Sequence, residues 1–148
     1  MTAAEICTAV NGTIAVEVAD AAATGVYVGD LLSDIMGHAG EDCALVTIQN
    51  HLNTIAVCTL VGCAVIVLCH NRPVPPDMAE AAAREGVAIV VTPLSQYATA
   101  RCTISEGDIS RFAQGERQLW MWRSNFTVSV RQAAARRGRA PRRTARAA

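Results

Sequence analysis

Residues 53–71 read NTIAVCTLVGCAVIVLCHN, and no charge interrupts the 15 residues from Ile55 to Cys69. A helix that crosses a bilayer needs about 20 apolar residues, so this run is too short. Gly62 also sits near its middle. Glycine is favoured just past a helix end, because it accepts a left-handed backbone without steric cost. The run therefore divides there. Asn53-Thr54 can cap a short apolar helix that Gly62 ends, and CAVIVL (63–68) is a β-branched strand suited to burial on both faces. The stretch reads as the interior of an α/β domain.

The same grammar extends outward. CALVTIQ (43–49) and VAIVVT (87–92) are further apolar strands, with TIAVEV (13–18) and GVYV (25–28) upstream. PPDMAEAAAREG (75–86) has Pro76 in a first-turn position, acids early, Arg84 late and Gly86 as terminator, the marks of a helix. Asp30 is expected to cap LLSDIMGH (31–38), with Leu31, Leu32, Ile35 and Met36 on one face. Ser95 is expected to cap QYATARCTI (96–104). Strands alternating with helices imply parallel pairing through right-handed crossovers. The expected fold is α/β, a layered sandwich with a mostly parallel sheet flanked by helices.

The chain has 148 residues, enough for one domain with its own core. Its net charge of zero hides two unlike regions. Residues 1–110 carry twelve acids against three arginines, net −9, and residues 111–148 carry ten arginines against Glu116, net +9. Lysine is absent. The expected domain is residues 1–105. An extension over 106–130 holds Phe112, Trp120, Trp122 and Phe126. The final stretch, 131–148, has seven arginines and no large apolar residue, so disorder is expected and a phosphate backbone or other polyanion is a candidate partner. The opening MTAAEICTAVNG has an acid at Glu5, no basic region and no long apolar run, so no signal peptide is expected and the chain is placed in the cytoplasm.

Six cysteines are present, but none forms a C-x-x-C pair, and C-x4-C-x5-C from Cys58 to Cys69 fits no zinc or iron–sulfur spacing. Buried, reduced thiols are expected, with no metal and no cofactor. Cys43 or Cys69 with His51 or His70 can be drawn as a nucleophile–base pair, though such pairings arise by chance in this composition. No phosphate-binding P-loop, G-x-G-x-x-G or G-x-S-x-G is present, so no catalytic residue is assigned.

In open parallel sheets ligands bind outside the carboxyl ends of the strands. The residues that follow each expected strand are therefore the candidate ligand set: Gly29, Asp30, Ser33, Asp34, Gln49, His51, Asn53, His70, Thr92 and Ser95. Asp30, Asn53 and Ser95 also read as plain helix caps, and Gly29 as a turn residue.

These residues resemble a known family. Y-V-G-D-L-L-S-D (27–34), T-I-Q-x-H-x-N (47–53), the apolar helix–strand pair, Glu85-Gly86-Val87 and T-P-L-S (92–95) follow the order of small stand-alone DRTGG-domain proteins, over roughly residues 3–105. The naming pentapeptide is not kept. Ala22-Ala23-Thr24-Gly25-Val26 retains the Thr-Gly but lacks the Arg and the second Gly. Similar domains lie beside CBS domains in regulatory pyrophosphatases, in some phosphotransacetylases and in the non-catalytic half of HPr kinase/phosphorylase. The resemblance implies a bacterial, cytoplasmic, dimeric α/β module, and the lack of a P-loop or catalytic motif leans against catalysis of its own. The reading that follows is a regulatory, ligand-sensing or protein-interaction module for a small anionic ligand or partner protein. The alternatives are a small phosphotransfer or thiol-dependent enzyme, and nucleic-acid binding through the arginine-rich tail.

Overall fold

A computed structural model describes residues 1–103. The aromatic extension (106–130) and the arginine-rich tail (131–148) lie outside the described residues. The elements run α1 (Ala3–Ala9), β1 (Thr13–Val16), β2 (Gly25–Val28), α2 (Leu32–His38), β3 (Cys43–Thr47), α3 (Leu52–Val61), β4 (Val65–Leu68), α4 (Pro76–Glu85), β5 (Ala88–Val91) and α5 (Gln96–Thr103). They build the α/β layered fold expected of the sequence, a five-stranded sheet in the order β1-β5-β4-β3-β2. β2 to β5 pair in parallel, whereas β1 runs antiparallel to β5 with an irregularity between Ile14 and Val16.

The two faces of the sheet carry residues of different size. Leu45, Ile66, Leu68 and Ile89 point toward α2, α3 and α4, where Ile35, Ile55, Cys58, Met78 and Ala82 meet them. Ala44, Val46, Val65, Val67, Ala88 and Val90 point the other way, toward Ile6 and Val10 of the α1 segment. α5 lies on this second face, packed on β2 and β3 and touching α1. Its buried residues are Thr99 and Thr103. The first face is thus a thick aliphatic core, and the second a thinner one of small side chains.

Local rules account for several element ends. Gly62 ends α3 with φ 76° and Gly86 ends α4 with φ 73°, both left-handed as the sequence requires. After Gly62 the amide of Cys63 returns to Cys58 O at 2.9 Å, a helix-closing bond. Ser95 does cap α5, its Oγ accepting from Ala98 N at 3.3 Å. α1 was not foreseen, although Thr2 and Glu5 form a reciprocal capping box and so mark its start.

Three local expectations are corrected. Asp30 does not cap α2; Leu31 holds that position without a side-chain bond, and the Asp30 carboxylate is committed elsewhere. Asn53-Thr54 do not cap α3 either, since it starts one turn earlier behind His51 and both residues lie inside it. The apolar stripe of α2 is narrower than expected. Ile35 is fully buried, but Leu31 is 67% exposed and Met36 50%, because a helix of two turns presents only one of its sides to the sheet. Among the described residues no helix is long and apolar enough to cross a membrane.

Candidate functional site: a ring of loops at the strand ends

Parallel register brings the residues after β2, β3, β4 and β5 to one edge. There, hydrogen bonds link four loops in a circuit. It starts at Asp30, after β2. Asp30 Oδ1 accepts from Thr47 Oγ1 at 2.9 Å and from Ile48 N at 2.9 Å, and Gln49 Nε2 donates to Asp30 O at 3.0 Å. The β3–α3 loop then reaches the β4–α4 loop through Asn50 Nδ2, which donates to Pro73 O at 2.8 Å. Next, the amides of His70 and Asn71 donate to Leu94 O at 3.0 Å and Thr92 O at 2.8 Å, joining the β5–α5 loop. Gln96, the first residue of α5, closes the circuit by donating Nε2 to Asp30 Oδ1 at 3.1 Å and Oδ2 at 3.2 Å.

Topology explains the closure. The helices after β2, β3 and β4 cover one face, and α5 turns back over the other toward β3 and β2. The winding reverses between β4 and β5, the place where open sheets commonly leave a crevice. Here that crevice is occupied by backbone. His70 and Asn71 take left-handed conformations, φ 59° and 51°, and Arg72 N returns to Cys69 O at 3.3 Å. Two successive left-handed residues make a tight primed turn that aims both amides at the neighbouring loop. α5, leaving on the opposite face, can then put Gln96 beside Asp30, although β4 and β3 lie between the strands that they follow.

The candidate residues separate into two groups. Asp30 and Gln49 belong to the ring directly, and His51 joins through its Nε2, 2.9 Å from Gln49 Oε1. Because Gln49 Oε1 can only accept, Nε2 is the donor of that bond. His51, Asn53 and His70 are exposed at this edge. Ser95 is half-buried in its capping role. Thr92 turns inward: it is fully buried and donates to Val10 O at 2.7 Å, so it fastens α1 to the sheet. Asp34 faces its own helix and strand, accepting from Tyr27 OH at 2.6 Å and pairing with His38 Nδ1 at 3.1 Å. Ser33 is exposed on α2. Gly29 has no unusual φ; a Cβ there would stand 3.1 Å from the Tyr27 ring, so space is what keeps it small. Gln96 was missed, since nothing local distinguishes it from a helix-surface glutamine.

Thiol chemistry finds no support at this edge. Cys43 begins β3 and His51 lies past its far end, so the two are separated by the length of the strand. Cys69 is buried with its sulfur 3.4 Å from Thr99 Oγ1, and burial raises its pKa more than that contact lowers it. Burial holds for Cys43, Cys58, Cys63 and Cys69, whereas Cys7 is half-buried and Cys102 exposed.

The segment matching the family pentapeptide lies at the opposite end of the sheet. Ala23 is buried beside the chain start, where its carbonyl accepts from the Met1 amino group at 2.6 Å and its amide donates to Met1 O at 2.7 Å. An arginine has no room there. Thr24 N donates to Asp42 O at 2.7 Å, so the retained Thr-Gly leads directly into β2.

Comparison with solved structures finds a similar fold. One matching chain is the CBS and DRTGG domains of the regulatory region of Clostridium perfringens pyrophosphatase, complexed with the activator diadenosine tetraphosphate. The TM-score is 0.54 at 9% sequence identity, over 68% of this chain and 45% of that one. The likeness is one of fold. This chain spans less than half the length of that neighbour. No family model matches the sequence, and no curated protein does.

Proposed function

We propose that this chain is a DRTGG-like regulatory module that senses a small anionic ligand at the carboxyl ends of its strands, acts without catalysis of its own, and works as a homodimer. The observation that carries the reading is the ring closed by Asp30 and Gln96. A ligand that displaces one of its bonds alters four loops and the position of α5 together, which is what a sensor needs. Exposed His51 and His70 supply polar groups at this edge, and exposed Arg72 a positive charge. α3 begins at the same edge without a side-chain cap, leaving backbone amides directed outward. The structural neighbour is a regulatory region in complex with a polyphosphate dinucleotide, which favours a nucleotide or similar anion over a neutral ligand.

Thermal shift of the full chain tests this, with adenine mono- and dinucleotides and small phosphorylated metabolites as probes. A ligand at about 100 times its Kd adds about 2.7 kcal/mol to stability, enough for a rise of several degrees. The rise is expected to shrink in His51→Ala, whose exposed side chain the fold does not need. No shift with any probe, or the same shift in wild type and His51→Ala, overturns the ligand reading. Sedimentation gives the oligomeric state.

A second reading rests on the arginines. Residues 111–148 carry ten of the thirteen, so nucleic-acid affinity would reside there. Such binding falls steeply with salt, and a chain ending at Glu106 loses it. Equal binding by the shortened chain eliminates that reading.

A further inference from the structure

Cys43 opens β3, and Cys63 follows the glycine that ends α3. Their sulfurs lie 3.0 Å apart, and both side chains are buried. The backbones are tied on either side of the pair: Asp42 N donates to Gly62 O at 2.8 Å and Ala64 N to Cys43 O at 3.2 Å. The register sets Cys63 one residue out of step with Cys43, which puts their Cα atoms roughly 6 Å apart, inside the range that a disulfide spans. Closing the S–S bond to about 2.05 Å asks for a shift of about 1 Å. The sequence offers no hint of this pairing, since nineteen residues separate the two cysteines.

We propose that Cys43 and Cys63 are a redox pair that closes to an intramolecular disulfide by exchange with a small disulfide of the oxidised-glutathione type. One cysteine gives its proton to water, and its thiolate attacks the small disulfide. A protein–small-molecule mixed disulfide forms and one small thiolate leaves. The second cysteine, likewise deprotonated, attacks the protein sulfur of that bond and expels the other. The protein loses two protons and two electrons, and the small disulfide takes them up as two thiols.

The surroundings set the pace. The contact with Cys63 and burial push the Cys43 thiol far up. At Cys63 the contact with Cys43 acts downward, but the Cys58 thiol and burial outweigh it and hold the group at about 12. Thiolate is therefore scarce near neutral pH, and attack waits on opening of the Gly62 turn. The pair answers sustained oxidation rather than a brief pulse. Its position gives the bond a consequence. The loop from 43 to 63 contains Thr47, Gln49, His51 and all of α3, so a disulfide at its foot restrains the ring's β3–α3 segment at the far end. The proposal stands whether or not the ring binds a ligand.

The test treats the reduced full chain with oxidised glutathione, traps remaining thiols in denaturant with N-ethylmaleimide, and maps the peptides. A Cys43–Cys63 linked peptide is expected, with a melting temperature raised by roughly 5 °C or more over the reduced chain. Cys43→Ser abolishes both. A parallel incubation in urea below the unfolding transition exposes the turn, so that access does not decide the result. Cys43 and Cys63 both still alkylated in that sample, or Cys63 joined to Cys58 instead, overturns the proposal. These are covalent readouts, so they fail independently of any thermal shift with nucleotides.

Discussion

At the carboxyl ends of its parallel strands the domain joins four loops through amides, hydroxyls and one carboxylate, Asp30, whereas at the amino ends it packs sulfur, alanine and two left-handed glycines. The polar end is held by bonds that water or a ligand can replace one at a time, so it is adjustable. The other end is held by burial, and its exposed acids, Glu17, Asp20, Glu41, Asp42 and Glu85, only edge it. A sheet with one end held by burial and one exchangeable end suits the sensing role proposed above.

Substitutions can sharpen or break this contrast. Leu45 lies fully buried in the middle of β3, between the two ends, and sets the scale. Leu45→Ala is expected to cost about 3 kcal/mol in urea unfolding and to loosen both ends alike. Asp30→Ala leaves Thr47 Oγ1, Ile48 N and Gln96 Nε2 without their acceptor. It should cost about 2 kcal/mol, with faster amide exchange over the β3–α3 loop and α5 and no change around Asp42 and Cys63. Spread of that exchange to the amino ends would break the division.

Gly62→Ala tests the opposite end, at about 1 kcal/mol for a left-handed alanine, because its φ is 76°. A Cβ there would stand 3.4 Å from Glu41 Cγ, whereas at Gly86 nothing lies within 4 Å. Gly86→Ala should therefore cost slightly less, and the difference measures packing against Glu41. The smallest effect near neutral pH is that of the thiols, which appears only in alkali. In the folded chain Cys63 is held at about 12 against an ordinary 9.0, and Cys43 is raised as well. Below pH 9 both folded and unfolded chains keep these protons. Above it the unfolded chain releases them first, so stability falls as pH rises toward 12. The double variant Cys43→Ala, Cys63→Ala should lack that part of the decline.

Much of the fold could be read locally. β3, β4 and β5 follow from apolar β-branched runs, and Gly62 and Gly86 from the cost that any other residue pays in a left-handed backbone. The α1 helix was readable too, in the Thr2–Glu5 box, although its apolar content is short. The site was legible only as an edge. Parallel pairing of neighbouring strands, once expected, places Asp30, Gln49, His51 and His70 at one end, but does not say which of them touch. Asp30 looked like a helix cap because Asp often is one; Thr47, Ile48 and Gln96 claim it instead. Thr92 looked available, yet its hydroxyl finds Val10 O from the other end of the domain sequence.

The sequence by itself determined the class of fold, the places where helices stop, and the charge asymmetry between the two regions of the chain, since each depends on neighbours a few residues away or on composition alone. Only the tertiary structure decided the order of the strands, the reversal that carries α5 to the far face, the meeting of Gln96 with Asp30 and the contact of Cys43 with Cys63. Those pairings span tens of residues. Their partners are selected by which helix covers which face of the sheet, and no local pattern encodes that choice.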